Sequence, residues 1–350
     1  MTEIFRRASG PFFAFGLLVL AITCLSFARP YAVPIAIAVL IWFLIGALAV
    51  AIQKTPGLGP HVPRTLARGV AMLLIGGAIF FASQVVARNV AELSAGITAD
   101  GDVILAEIES LAARVGIEMQ LTPAGLYDMV RFDEIFGWAL GTARGLITDA
   151  SLVVLYVLFL LVDERYYLVK LEALVPDPER RERVRAALRR IGAETQAYLW
   201  LMSLISLGVA LVTYAACAAV GVAGAGFWGF VAFVLNFIPT IGSITAVVLP
   251  VLYATLTLGD PIALAVLVSV LSATQFVAGE VVLPRVMGDR LNLSSVVILL
   301  MLVVWGAMWG PAGMFLAIPI TVILTLIFAR FDATRPIAVV LSKNGQVPHV

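Results

Sequence analysis

The sequence has few residues suited to catalysis or to metal binding. Only three of its 350 residues are lysine and no Gly-x-x-x-x-Gly-Lys-Ser/Thr motif occurs, so nothing supports ATP hydrolysis by this chain. The two histidines, His61 and His349, do not have the spacing of a metal site. No nucleophile elbow and no pair of carboxylates within an apolar segment is present. We therefore expect neither an enzyme nor a resident metal or cofactor.

Cysteine and charge are also scarce. Cys24 and Cys217 both lie within apolar runs, which favours small packing residues over a structural disulfide. Charged residues make up 13% of the chain, against roughly 25% in an ordinary globular domain, and the formal net charge is +1. We expect no nucleic-acid partner.

Apolar residues are in excess, at 61% of the chain with a mean hydropathy of +1.04. A hydrocarbon core about 30 Å thick needs about 20 apolar residues per helical span. The sequence therefore predicts an all-α polytopic membrane protein with about eight hydrophobic segments, six of them at 11–28, 31–52, 66–88, 145–162, 199–221 and 262–283. The first segment has features of a signal peptide, but the next begins at Tyr31, which favours an uncleaved helical hairpin.

The remaining two segments, 227–256 and 293–328, are each interrupted near the middle, at Asn236–Ser243 and at Trp305–Gly313. In a bilayer a broken helix is tolerated only where its backbone is buried in protein or lines a wet cavity. Paired interruptions of this kind are typical of a transporter's binding site. The two breaks are therefore the leading candidates for the functional site.

Charge placement predicts the orientation of the chain. The insert 89–144, expected to form short amphipathic helices, is acidic, whereas six arginines follow the fourth span, in a helix expected to begin near Pro178. That basic helix either lies at the headgroup surface or is a solvated helix whose charges pair with Glu179, Glu182 and Glu194. The excess of Lys and Arg in the other short loops puts both termini in the cytoplasm and the acidic insert outside.

The predicted layout has six parts. They are N-terminal spans (1–88), the extracytoplasmic insert (89–144), a span (145–162), the cytoplasmic basic helix (163–198), a C-terminal transport core containing both broken segments (199–330) and a cytoplasmic tail (331–350).

The broken segments can be threaded in two ways. If each crosses the bilayer as a kinked span, the loop from Arg285 to Arg290 lies outside. If each is a re-entrant hairpin, this loop lies inside, which agrees better with the positive-inside rule. The hairpins would then enter from opposite faces and their tips would meet near the midplane.

The candidate site residues are the polar, proline and glycine positions at the breaks and the polar residues of the span between them. Pro239 frees a helical carbonyl and Gly242 tolerates unusual backbone angles, whereas the glycines of the second break permit close backbone approach. An ionisable group within a span is a functional hypothesis by default, although Glu280 could also reach the headgroups. Kinks and glycines can equally serve packing alone. The full set is Asn236, Pro239, Thr240, Gly242, Ser243, Gln275, Glu280, Gly306, Trp309, Gly310 and Gly313.

These residues resemble the AI-2E family of bacterial membrane proteins, the autoinducer-2 exporter-like or PerM-like permeases. The likeness rests on Leu235–Ser243, the run from Gln275 to Gly288, and the run from Trp305 to Pro319. It implies eight hydrophobic segments, a bacterial inner-membrane location and a transport role. Some members are linked to autoinducer-2 export and others to sodium–proton exchange.

We accordingly expect an ATP-independent permease or exporter of a small polar solute, such as a signalling molecule, embedded in the lipid bilayer as a homo-oligomer. One rival is a cation/proton antiporter of the same family, coupled to Na⁺ or H⁺ through Glu280. The other is a non-transporting structural or regulatory membrane protein.

Overall fold

The computed structural model describes residue 16 and residues 19–56, 62–95, 150–258, 260–287, 293–329 and 334–345. Residues 19–27 are helical and are followed by a turn at Ala28. Twelve further α-helices in the described ranges are α1 (Arg29–Gln53), α2 (Arg64–Ala95), α3 (Ala150–Asp163), α4 (Tyr167–Leu174), α5 (Pro178–Ala219), α6 (Ala225–Leu235), α7 (Ile241–Thr257), α8 (Pro261–Phe276), α9 (Leu283–Met287), α10 (Ser295–Trp309), α11 (Pro311–Phe328) and α12 (Arg335–Leu341). The predicted helices of the insert fall outside these ranges from residue 96 onward.

The predicted all-helical membrane fold is confirmed. Within the described part of the chain, five helices are long and apolar enough to cross a bilayer: Arg29–Gln53, Arg64–Asn89, Pro178–Ala219, Pro261–Val286 and Pro311–Phe328. Three shorter apolar helices, α6, α7 and α10, belong to the two broken segments. The total of eight hydrophobic segments remains a prediction.

Prolines and acidic caps fix where several helices begin. Pro178, Pro261 and Pro311 each occupy the first helical position, where the missing N–H costs nothing. Asp260 caps α8, because its carboxylate accepts the Ile262 N–H at 2.8 Å. Asp177 accepts the Glu179 N–H at 3.1 Å in the same way at the start of α5.

The basic helix and the fifth predicted span form one continuous helix of 42 residues, α5. The solvated-helix alternative expects three glutamates to pair with the arginines, and two of them do so. Glu182 pairs with Arg185 and Arg189, and Glu194 pairs with Arg190. The arginine cluster is thus held at a fixed distance from the apolar part of the same helix. At 1.5 Å per residue, Arg183 is about 23 Å along the helix axis from Tyr198. Arginine, glutamate, alanine and leucine all favour helix, so the change in polarity does not end α5.

The chain forms two compact units. The first comprises residues 1–42, 152–195 and 292–350, and the second comprises residues 43–151 and 196–291. In the second unit, α6 packs against α2 and α7, and α7 packs against α8. In the first unit, α10 packs along α11, and α11 packs against α12. The two broken segments therefore lie in different units.

Each broken segment folds back on itself. In the second unit, the rings of Trp228 and Tyr253 lie 5.4 Å apart across the break between α6 and α7. In the first unit, Gly306 of α10 lies against the side chain of Met314 of α11. We call α6, residues 236–240 and α7 the first hairpin, and α10, Gly310 and α11 the second hairpin.

Candidate functional site

The tip of the first hairpin is a five-residue turn. Pro239 is half-buried, and Thr240 and Ile241 are exposed. The Ile241 N–H donates to the Pro239 carbonyl at 2.6 Å, a three-residue γ-turn centred on Thr240. Thr240 has φ 63° and ψ −64°, and it is the one non-glycine residue with positive φ in the described ranges. A β-branched residue rarely adopts these angles, so the tip holds backbone strain.

Gly242 allows the two helices of the first hairpin to meet. A Cβ at this position would lie 2.7 Å from the Leu235 carbonyl carbon and would overlap its oxygen. It would also lie 3.2 Å from the Ile238 Cβ. The sequence predicted that Gly242 tolerates unusual backbone angles, but its φ is not positive, and close backbone approach is what requires glycine here. Ser243, the next candidate, is half-buried.

Asn236 joins the tip to helix α5. Its Nδ2 donates to the Ser206 Oγ at 2.9 Å, and both side chains are buried. Buried polar groups need such partners, so one donor of the Asn236 amide is already used within the protein. Ser206 was not among the residues predicted from the sequence. It is a hydroxyl residue in an apolar helix, and only the structure shows that it is buried and pairs with a residue 30 positions further on.

Gln275 and Glu280 lie on the helix that follows the first hairpin. The Oε1 atom of Gln275 is buried and has no hydrogen-bond partner among the described residues. Two residues further on, Val277–Val282 form a π-helix between α8 and α9. Pro284 has no N–H for the Glu280 carbonyl, and the Leu283 N–H reaches back to the Ala278 carbonyl instead. π-helical turns are frequent at functional sites.

A layer of small residues brings this helix against the first hairpin. Ala278 of the π-helix forms a buried cluster with Val209 of α5, Ala232 of α6 and Ala246 of α7. Gln275 lies one turn before Ala278 on the same helix, whereas the Glu280 side chain is exposed. Gln275, Glu280 and the first break thus belong to one compact unit.

The second hairpin turns at a single residue. Gly310 has φ 66° and ψ −148°, angles that favour glycine, and Pro311 starts α11 directly after it. A Cβ at Gly313 would lie 2.6 Å from the Trp305 carbonyl carbon, so the helices approach as closely here as in the first hairpin. The helix α10 continues to Trp309, so the break is shorter than the predicted interruption from Trp305 to Gly313.

Two tryptophans fill the end of the second hairpin. The Trp305 and Trp309 rings lie 5.0 Å apart, and both side chains are buried. The Trp309 Nε1 donates to the Leu25 carbonyl at 3.0 Å, whereas the Trp305 Nε1 is buried and has no partner in the described part of the chain. The Arg29 guanidinium lies beside Gly310. Neither the contact of Trp309 with Leu25 nor that of Arg29 with Gly310 was predicted from the sequence.

The predicted site residues therefore form two groups. Asn236, Pro239, Thr240, Gly242, Ser243, Gln275 and Glu280 lie in the second unit, and Gly306, Trp309, Gly310 and Gly313 lie in the first unit. Convergence of the two tips near a midplane remains a prediction. Within the described ranges, no group of three or more His, Cys, Asp or Glu side chains is arranged to hold a metal ion.

Long apolar helices and two glycine-dependent helical hairpins define an integral membrane protein of the transporter class. The particular family is shown by comparison with known sequences. Residues 15–332 match the profile of the AI-2E family transporter, and the chain belongs to this family.

Similar proteins occur in several bacteria. The AI-2 transport protein TqsA of Escherichia coli (strain K12) is 30% identical over 331 residues, which cover 93% of this chain and 94% of TqsA. YhhT of the same strain is 32% identical over 178 residues, 51% of this chain and 50% of YhhT. YrrI of Bacillus subtilis (strain 168) is 32% identical over 130 residues, 34% of this chain and 36% of YrrI. The names of YhhT and YrrI also contain the words transport protein.

Proposed function

We propose that this protein is an ATP-independent exporter of a small polar solute, such as a signalling molecule, through the bacterial inner membrane. The observation that carries the proposal is the first hairpin, whose strained tip lies in the same unit as the unpaired Gln275 oxygen. TqsA is named for AI-2 transport and matches nearly the whole chain, which supports a signalling molecule as the solute class.

The short helices favour re-entrant threading of both broken segments. At 1.5 Å per residue, α6 spans about 17 Å and α10 about 23 Å, less than a hydrocarbon core of about 30 Å. A hairpin returns to the face from which it enters. With both termini cytoplasmic, the first hairpin then enters from outside and the second from inside.

The proposed solute contact is the Gln275 Oε1 atom of the second unit, a buried acceptor with no partner among the described residues. Such a group costs free energy unless a ligand or water satisfies it. In contrast, Asn236 is committed to Ser206, and Gly242 provides close packing. These residues would shape the site and not bind solute through their side chains.

Reconstitution into liposomes with a panel of polar solutes tests the proposal. Gln275→Leu should lower flux of the transported solute roughly 3- to 10-fold, because one neutral hydrogen bond contributes about 0.5–1.5 kcal/mol. Thr274→Val is the matched control, since its hydroxyl is already bonded to the Val270 carbonyl at 2.7 Å. Absence of flux for every solute, or equal losses in both variants, contradicts the proposal.

A second candidate is a cation/proton antiporter, favoured by the exposed Glu280 carboxylate on the π-helix. It differs in requiring Na⁺ or another cation gradient for flux. The same liposomes, loaded with a pH-sensitive dye, separate the two functions: cation-driven proton movement without solute supports the antiporter. A structural or regulatory role instead predicts normal cellular function after both breaks are replaced by helix-forming residues.

A further inference from the structure

We propose that helix α12 (Arg335–Leu341) is a membrane-surface helix at the base of the second hairpin. Its exposed apolar side chains insert into the adjacent lipid leaflet, and the basic residues at its two ends contact anionic headgroups. Sequence analysis predicted this segment only as part of a cytoplasmic tail (331–350). The inference rests on the membrane location of the chain and is independent of the solute that it transports.

The first end of α12 is tied to the end of a helix long enough to span the membrane. The Oγ1 of Thr334, the residue before α12, donates to the Phe328 carbonyl at 2.9 Å. Phe328 is the last residue of α11, which is long and apolar enough to cross a bilayer. The start of α12 therefore lies at the depth where α11 ends.

The other end of α12 is tied to the start of α10. The Ser294 N–H donates to the Leu341 carbonyl at 3.0 Å, and Leu293 forms an antiparallel β-bridge with Ser342. Ser294 is the residue before α10, so this attachment is also at the base of the second hairpin.

These two attachments fix the direction of α12. It runs from the last residue of α11 to the first turn of α10, and these two helices pack against each other. At 1.5 Å per residue α12 is about 10 Å long, close to the 8–10 Å between the axes of packed helices. The helix thus bridges the two arms of the hairpin, and its axis lies along the bilayer surface.

The surface of α12 is apolar on every side. Each of its residues after Arg335 is apolar. Two of them are buried and face the protein, where α12 packs against α11. Ile337, Val339 and Val340 have exposed fractions of 47%, 38% and 73%. A helix that is apolar all round belongs in a protein core or a membrane, so an apolar phase is expected to cover these three side chains.

Lipid fits this surface better than a second protein. A standard protein–protein interface takes about 20–30 residues from each partner, and α12 offers three large exposed apolar side chains. The charged residues within 334–345 are Arg335 and Lys343, both basic. Interfacial helices combine apolar side chains with lysine or arginine beside them, and anionic headgroups attract these cations.

Spin labelling of the full chain in liposomes of mixed zwitterionic and anionic phospholipid tests the inference. A chain lacking Cys24 and Cys217 receives one label through Val340→Cys, which leaves the buried face of α12 unchanged. Collisions with oxygen, which concentrates in hydrocarbon, are compared with collisions with a water-soluble nickel chelate. We expect oxygen collisions to dominate, with the label about 5–10 Å below the headgroup surface.

Two positions in the same unit calibrate this readout. Val303, which is 66% exposed on α10, is the hydrocarbon reference, and the exposed Arg183 on α5 is the aqueous reference. The ratio of oxygen to nickel collisions at Val340→Cys should be several-fold above that at Arg183→Cys. A ratio equal to the aqueous reference would overturn the insertion. Few collisions with either reagent would show that protein covers α12, which overturns it as well.

Lipid composition tests the basic ends of α12. Liposomes of zwitterionic phospholipid alone should lower the collision ratio at Val340→Cys, because the attraction of Arg335 and Lys343 to anionic headgroups is lost. Adding Lys343→Gln should weaken this dependence on lipid charge. Equal ratios in both lipid mixtures would refute the headgroup contacts. Insertion of α12 in a protein that moves no solute would refute the proposed function alone.

Discussion

Replacement of Gly242 by alanine tests the close approach on which the first hairpin depends. The added methyl carbon would lie 2.7 Å from the Leu235 carbonyl carbon, whereas ordinary van der Waals contacts begin near 3.4 Å. The Leu235 carbonyl belongs to the backbone and the methyl carbon is fixed to the Cα of residue 242, so neither can rotate away and the helices must separate by roughly 1 Å. Overpacking of this kind costs about 1–3 kcal/mol, and we expect the upper part of that range, about 2–3 kcal/mol. Gly242 does not have positive φ, so the effect is steric.

The matched control is Gly208→Ala on α5, where a Cβ would meet no atom within 4 Å. This change should be neutral or stabilise the protein by up to about 1 kcal/mol, because alanine favours helix. Thermal unfolding can be followed in a Cys24→Ser background by thiol labelling of the buried Cys217. We expect Gly242→Ala to lower the melting temperature by about 5–10 °C, at roughly 2–4 °C per kcal/mol. Equal melting temperatures for the two variants would refute the hairpin geometry.

Three further predictions follow from the same features. Met287→Cys, in a chain lacking Cys24 and Cys217, should resist an impermeant maleimide added to intact cells, because re-entrant threading puts this residue in the cytoplasm; strong labelling would favour kinked spans. Glu280→Gln should change the pH profile of transport if this carboxylate carries protons, and an unchanged profile in liposomes would remove it from the mechanism. Gly313→Ala should lower the melting temperature about as much as Gly242→Ala, since both close approaches involve a backbone carbonyl; an unaltered melting temperature would contradict the tight turn at Gly310.

The positions of both breaks were predictable because their residues restrict the backbone directly. Pro239, Gly242, Gly310 and Pro311 are incompatible with, or unusual in, an uninterrupted helix, and each lies at or beside a turn in the structure. The apolar runs likewise predicted the long helices, since about 20 apolar residues suffice to cross a bilayer.

The features that were not predicted depend on contacts between distant residues or on unusual backbone geometry. The bond between Asn236 and Ser206 joins two helices, and no local pattern specifies the pairing. The positive φ of Thr240 contradicts the preference of β-branched residues, so propensity alone would exclude it. The π-helix is mostly apolar, as the α-helices around it are, and neither its glycine nor Glu280 specifies a π-turn; only its position before Pro284 suggests a change.

The hydrogen bond between Trp309 and Leu25 also affects how the chain is assembled during synthesis. Its two residues are 284 positions apart, so this hydrogen bond to the Leu25 carbonyl can form only after nearly the whole chain has been synthesised. Contacts of such high sequence separation form late in folding. The N-terminal helix would therefore enter the bilayer with one carbonyl unsatisfied, and docking of the second hairpin would complete the first unit. Chains truncated before Trp309 should insert their early helices and yet lack this final contact.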